Sequence, residues 1–256
     1  MQAYGQFATV YDRLMEEMPY PEWLRFAREC WAAYGEPDVI ADLGCGTGSM
    51  AIPLAQSGKR VFAIDLAADM LTVGRAKWES SPERALRPGG SIQWLQQDMR
   101  EWELPEPVDT VISFCDCFNY LTEPEDVESA FRATFAALKP GGSFLFDVHA
   151  PRQLERYAEE QPFILDERDV AYIWTSEYDE DRLEIEHHLT IFSRAGERED
   201  AKFERFEEVH VQRAYDRYWL QDALTDAGFS KVACYADFTF EEADPASERL
   251  FFVCIK

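Results

Sequence analysis

"ADLGCGTGSM", residues 41–50, places glycines at 44, 46 and 48 directly behind a short apolar run and directly ahead of a helix-like one. Alternating glycines at a strand-to-helix junction let the backbone turn sharply and pass close to a bound molecule. An acid, Asp42, stands two residues before the first glycine. A pyrophosphate-binding turn has the spacing G-x-G-x-x-G and aims its amides and a helix N-terminus at an anion. Here the spacing is G-x-G-x-G with a carboxylate ahead of it, which suits a ligand carrying positive charge.

Outward from the turn, strand-like and helix-like segments alternate. "PDVIADLG" leads in, and "SMAIPLAQSG" leads out as a helix with Pro53 in its first turn and Gly58 as its stop. "KRVFAIDL" and "AADMLTVGRAKWES" form the next strand and helix, and a Pro/Gly-rich loop over 82–90 precedes the strand "SIQWLQQD". "VDTVISFC" is a fourth strand. "EPEDVESAFRATFAALKPGG" reads as a long helix with acids at its start and Lys139-Pro140-Gly141 at its end, and "SFLFDVH" is a fifth strand. This alternation predicts a parallel sheet with helices on both faces.

Over residues 162–213 the period changes to two. "DVAYIWTSEY", "DRLEIEHHLTIFSR" and "AKFERFEEVHVQRAY" predict three antiparallel strands inserted after strand five. A helix, "YWLQDALTDAGF", and two strands, "KVACYADFTF" and "ERLFFVCIK", close the chain. The expected fold is a doubly wound, mostly parallel, seven-stranded Rossmann-like α/β sheet with an antiparallel β insertion. Its expected organisation is a helical cover (1–35), a cofactor-binding core (36–150), the insertion (151–213), and a C-terminal helix and β-hairpin completing the core (214–256).

Composition narrows the function. A chain of 256 residues that is 46% hydrophobic can bury a sizeable core. The net charge of -24 opposes a phosphate-backbone partner, so nucleic acid is not expected. No apolar run is long enough to span a bilayer, and "MQAYGQFATVYDRLM" lacks the basic and apolar regions of a signal peptide. Six cysteines without C-x-x-C spacing read as reduced thiols of a cytoplasmic protein with no metal site. Cys115 and Cys117 are expected to project from one face of strand four.

In open parallel sheets the ligand lies beyond the carboxyl ends of the strands. Asp65 closes strand two, where a carboxylate can take both hydroxyls of a ribose. Asp98, just past strand three, can accept from an adenine amino group while Met99 packs on the ring. S-adenosylmethionine combines that nucleoside with an ammonium and a sulfonium and carries no phosphate, which agrees with Asp42. A nicotinamide-dependent oxidoreductase would show the other glycine spacing and no acid ahead of it. A non-catalytic module that binds S-adenosylmethionine would show the same turn.

"VIADLGCGTGSM", "AIDLAADML", "QQDMREW", "VISFCDCFNYL" and "LKPGGSFLFDVH" resemble, in order, the motifs of class I S-adenosylmethionine-dependent methyltransferases over roughly residues 36–150. "ALTDAGF" and the last two strands are similar to that family's C-terminal end, with its reversed seventh strand. "YGQFATVYDRLM" and "CDCFNYL" further resemble the YqeM-like bacterial group, read as small-molecule methyltransferases. The insertion is similar to that of sugar N-methyltransferases and glycine N-methyltransferase, where it shapes the acceptor pocket or an oligomer contact. The resemblance implies in-line transfer of a methyl group from S-adenosylmethionine to a small molecule, and a homodimer contact through the inserted sheet. It sets Gly44, Gly46 and Gly48, with Asp42 and Cys45, against the methionine part. It sets Asp65 on the ribose with Leu66 and Met70 nearby, and Asp98 with Met99 on the adenine. Cys115 and Asp116 line the sulfonium side, and Tyr4, Phe7 and Tyr11 close over the cofactor.

On the acceptor side, His149 ends strand five and is the candidate general base, useful where the nucleophile arrives protonated. Asn119 and Tyr120 are placed to orient cofactor or acceptor, Tyr120 also as a catalytic candidate. His187 and His188, adjacent on a strand, face opposite ways. Glu208 and His210 share one face, and His210 with Arg213 are candidate acceptor contacts.

Overall fold

The computed structural model describes residues 7–81, 89–195 and 202–256. Tyr4 and positions 82–88 of the expected loop lie outside the described residues. The N-terminal cover comprises α1 (Phe7–Leu14) and α2 (Tyr20–Tyr34). The alternating region runs β1 (Val39–Leu43), α3 (Ala51–Gln56), β2 (Arg60–Asp65), α4 (Ala68–Ser80), β3 (Ser91–Gln96), β4 (Val108–Ser113), α5 (Pro124–Ala137) and β5 (Leu138–His149). Then come α6 (Pro151–Glu160), β6 (Phe163–Asp166), β7 (Val170–Asp179), β8 (Glu184–Arg194) and β9 (Phe203–Arg213). The chain ends with α7 (Arg217–Asp226), β10 (Lys231–Ala236) and β11 (Arg249–Ile255).

Seven strands form one sheet in the order β10-β11-β5-β4-β1-β2-β3. β1 pairs in parallel with both β2 and β4, so the strand order reverses at β1/β4 and opens a crevice beyond their carboxyl ends. β11 runs antiparallel between β5 and β10. Both faces of the sheet are buried, as near-continuous apolar strands require. Leu43, Ile64, Phe144 and Phe146 pack beneath α5 and α7. Ile40, Val61, Ala63 and Leu145 pack beneath α2, α3 and α4. In α2 the buried Trp23, Phe26, Ala27, Cys30 and Trp31 recur every three or four residues, which gives one apolar stripe facing the sheet.

Several expectations shift. The inserted sheet has four strands, β6-β7-β8-β9, rather than three, and α6 precedes it. Both extra elements offer little apolar sequence, α6 being mostly polar and β6 short. α6 fully buries only Leu154, and β6 is four residues long, directly after Pro162. α5 stops at Ala137 and does not run through Lys139-Pro140-Gly141. A residue before proline favours extended backbone, so the chain leaves the helix ahead of Pro140 and starts β5. β10 ends at Ala236, where Asp237 and Phe238 adopt positive φ and turn the chain. Cys115 and Cys117 do not share a strand face. β4 stops at Ser113, and Cys115 and Asp116 form a left-handed turn at φ 67° and 54°.

Candidate active site

The glycine turn is tightly built on two sides and open on the third. Gly44, Gly46 and Gly48 have φ of 77°, 53° and 83°, a region that favours glycine. A Cβ on Gly44 would fall 2.6 Å from the Cys117 thiol, and one on Gly48 would fall 2.6 Å from the Trp94 ring. A Cβ on Gly46 would meet only Tyr11, at 3.9 Å. Gly48→Ala is therefore expected to cost about 3 kcal/mol, from left-handed strain plus overpacking, and Gly46→Ala about 1 kcal/mol. Urea melts of the two variants check this ranking; equal losses would contradict it.

Three acids surround the turn in different states. Asp42 is 2% exposed and its Oδ2 has no partner among the described residues. Burial, then the neighbouring Asp65, pushes its pKa up to about 7, and an amide bond from Ala51 opposes this. Asp65 accepts from Gly46 N–H at 2.7 Å and Ala67 N–H at 2.8 Å, so it joins the turn to the start of α4. Burial raises its pKa and those amides oppose the rise. Asp98 is gripped by Arg100 at 2.9 Å and 2.6 Å, and that pairing holds its carboxyl below the usual range. Arg100 also reaches Asp126 at 3.0 Å. Met99 comes within 3.7 Å of the Gly44 Cβ position.

α1 is fastened over this turn. Thr47 donates to Asp12 at 2.5 Å, and Lys77 donates to the other Asp12 oxygen at 2.7 Å. Met70 packs beneath α1 with Phe7, Ala8 and Val10, while Leu66 is exposed at the mouth. The Tyr20 hydroxyl faces those of Tyr11 and Ser49, and burial raises both phenols. Tyr20 gave no signal beyond its place in an aromatic-rich segment. The thiols of Cys45, Cys115 and Cys117 are pushed well up by burial, so they stay protonated.

Beyond the ends of β4 and β5 lies a buried polar cluster that the sequence did not announce. Asp147 accepts from Trp23 Nε1 at 3.0 Å, from Cys115 N–H at 2.8 Å and from Arg249 Nη1, a pattern that suits a carboxylate. Asp116 accepts from Arg249 Nη2 at 3.0 Å and from Gln212 Nε2 at 2.8 Å. Burial opposes its charge, but Arg249 and these bonds hold its pKa below the usual range. Burial raises Asp147, with Arg249 opposing. For Arg249 itself burial is outweighed by the two carboxylates, and its guanidinium lies 5.3 Å from the Trp23 ring centroid.

The same Nη2 lies 2.6 Å from Nε2 of His149. A guanidinium only donates, so Nε2 accepts and the neutral ring carries its proton on Nδ1. Burial lowers this imidazole to about 3, with Asp116 opposing and Arg249 reinforcing. His187 is fixed the other way round. Trp174 Nε1–H donates to its Nδ1 at 3.0 Å, so its proton sits on Nε2. The Ser176 hydroxyl also lies 2.8 Å from that Nδ1, and burial, then His210, lowers the ring to about 4.

The inner face of the inserted sheet closes over this cluster. His187 pairs with His210 across β8 and β9, and both are buried, whereas His188 is on the opposite face beside Glu186 at 3.1 Å. Glu208, His210 and Gln212 share the inner face of β9, where His210 is 9% exposed. Phe7 and Tyr120 approach the His210 ring at 5.4 Å and 6.0 Å. Two expected acceptor contacts are directed elsewhere. Arg213 falls on the other face, where it donates to the Thr122 carbonyl at 2.8 Å and lies over Tyr215. Asn119 is fully buried; it donates to the His149 and Arg213 carbonyls and accepts from His149 N–H at 2.9 Å. It braces the loop instead of presenting its amide to a ligand.

A buried carboxyl group with one unpartnered oxygen, beside an open left-handed glycine turn, fits an ammonium-bearing ligand such as S-adenosylmethionine. Sheet order, reversed β11 and this turn together define a class I methyltransferase. A family model described as a methyltransferase domain matches residues 40–142. The YqeM protein of Bacillus subtilis (strain 168) is 37% identical over 250 residues, covering 97% of this chain and 95% of the relative. The crystal structure of a S-adenosylmethionine-dependent methyltransferase from Clostridium acetobutylicum ATCC 824 superimposes with a TM-score of 0.82 at 25% identity, over 98% of each chain. CalS10, an amino pentose methyltransferase from Micromonospora echinaspora solved with S-adenosylmethionine bound, shares the fold with a TM-score of 0.70 at 20% identity, over 96% of each chain. The chain belongs to the S-adenosylmethionine-dependent methyltransferases, among the YqeM-like proteins. It is an enzyme of methyl transfer, and S-adenosylmethionine is its cofactor. Among the described residues no helix is long and apolar enough to cross a membrane.

Proposed function

We propose that this enzyme methylates an amine nitrogen of a small molecule, held between the carboxyl end of the core sheet and the inner face of the inserted sheet. The observation that carries the reading is the state of two buried imidazoles where the core sheet and the inserted sheet meet. The lone pair of His149 is filled by Arg249 and that of His187 by Trp174, so neither ring is free to take a proton. An oxygen nucleophile arrives protonated and needs a base, whereas a neutral amine already offers its lone pair.

Electrostatics favour the same nucleophile. Two carboxylates, Asp116 and Asp147, face one guanidinium, Arg249, so the cluster carries net negative charge. Fixed negative charge stabilises positive charge developing on the acceptor nitrogen. The fold shared with an amino pentose methyltransferase supports an amine acceptor.

S-adenosylmethionine supplies an electrophilic methyl carbon on a sulfonium. Asp42 would hold its ammonium, with Gly44, Cys45, Gly46 and Gly48 against the methionine part. Asp65 would take the ribose hydroxyls, and Met99, Asp98 and Leu66 would frame the adenine. Tyr11 and Tyr20 would exclude water, Cys115 and Asp116 would face the reacting centre, and Tyr120 and His210 would wall the acceptor.

The test uses methyl-labelled S-adenosylmethionine and a metabolite extract, untreated or with its amines acetylated. Label is expected in small molecules of the untreated extract and lost after acetylation. Equal labelling of both extracts would sink the amine assignment.

A further inference from the structure

We infer that Arg249 makes His149 a fixed hydrogen-bond donor to an oxygen atom of the methyl acceptor, so that His149 selects the acceptor and does not act as its base. This rests on the acceptor site proposed above.

One guanidinium organises the hydrogen bonds around this ring. Nη1 of Arg249 donates to Asp147, and Nη2 has two protons, matched by Asp116 Oδ1 at 3.0 Å and His149 Nε2 at 2.6 Å. Asp116 Oδ1 lies 3.4 Å from the same Nε2. Two acceptors sit that close without conflict because both receive from one amino group. The ring proton is thereby confined to Nδ1.

That Nδ1 is buried and has no hydrogen-bond partner among the described residues. His149 is 4% exposed, and Asn119 holds its backbone on both sides. The groups facing the ring are Asp116 after β4, Arg249 on β11, Tyr157 on α6 at 5.5 Å, His187 on β8 and Gln212 on β9. Gln212 gives its N–H to Asp116 and its side chain also interacts with the His149 ring, yet no acceptor lies within hydrogen-bond distance of Nδ1 among the described residues. A rigid, buried, unmatched N–H is costly to leave unpaired, so it marks a position for an acceptor atom. Within the proposed site that atom is a hydroxyl, ether or carbonyl oxygen on the amine substrate. A site built this way discriminates strongly against analogues lacking the oxygen.

Nitrogen-15 NMR of histidine-labelled protein saturated with S-adenosylhomocysteine reads the tautomer without any acceptor. The His149 ring is expected to show protonated Nδ1 and bare Nε2, with no titration between about pH 5 and pH 9. A protonated Nε2, or a titration in that interval, overturns the inference. Label transfer to dilute and concentrated metabolite extract gives a second reading. His149→Phe should lower the rate with dilute extract about tenfold and less with concentrated extract, and His149→Gln, which keeps an N–H, should recover most of it. Equal losses in both variants would make His149 the base, and no loss in either would make it packing alone; both overturn the inference. If acetylated extract is still labelled, the amine reading fails while the tautomer measurement remains decisive for His149.

Discussion

Arg249→Leu is expected to destabilise the protein by about 3–5 kcal/mol, the range for a buried charge stripped of its partner. Asp147 has a fully buried side chain and Asp116 one that is 14% exposed, and both lean on this guanidinium. Leucine fills much of the volume but leaves two carboxylates facing each other in low dielectric. The melting temperature should fall on the order of 10 °C. Adding Asp116→Asn and Asp147→Asn should restore part of the loss, because the uncompensated charges go with them. The sign with pH is also fixed. The folded-state pKa of Asp116 lies below its ordinary value, so its contribution is present above about pH 4 and lost as pH falls further. The deficit of the variant should therefore shrink on acidification. Thermal melts at several pH values measure this, and a loss under about 1 kcal/mol at neutral pH would mean the cluster does not share charge as described.

Asp65→Ala is expected to weaken S-adenosylmethionine binding at least a hundredfold, through two lost charge-assisted bonds to ribose at about 1.5–3 kcal/mol each. The change also strands the Gly46 and Ala67 amides that this carboxylate accepts from, so some stability is lost with the affinity. Asp65→Asn separates the effects. It can still accept from one amide and keeps the shape, so it should melt near wild type while binding about tenfold more weakly. Calorimetric affinity unchanged in both variants would remove Asp65 from the cofactor site.

Much of this was readable in the sequence because the signals are local. The glycine turn, the acid closing β2 and the switch to period-two alternation each follow from a few neighbouring residues. Elements that are mostly polar or very short were not readable, as α6 and β6 illustrate. Nor was the polar cluster. Arg249 lies more than a hundred residues from Asp116 and from Asp147's strand neighbours in β4, and only the antiparallel insertion of β11 beside β5 brings them together. Arg213 shows the reverse error. It is three residues from His210 on β9, and strand alternation puts it on the other face. His149 was found by position, but its protonation state depends on Arg249, a partner visible only in three dimensions.

The most direct test is a crystal structure with S-adenosylhomocysteine bound. Its ammonium is expected beside Asp42, its ribose hydroxyls on Asp65, its adenine against Met99, and its sulfur directed past Cys115 and Asp116 toward His149 and the inner face of the inserted sheet. A ligand seated away from the glycine turn, or one whose sulfur points away from that face, would contradict this placement.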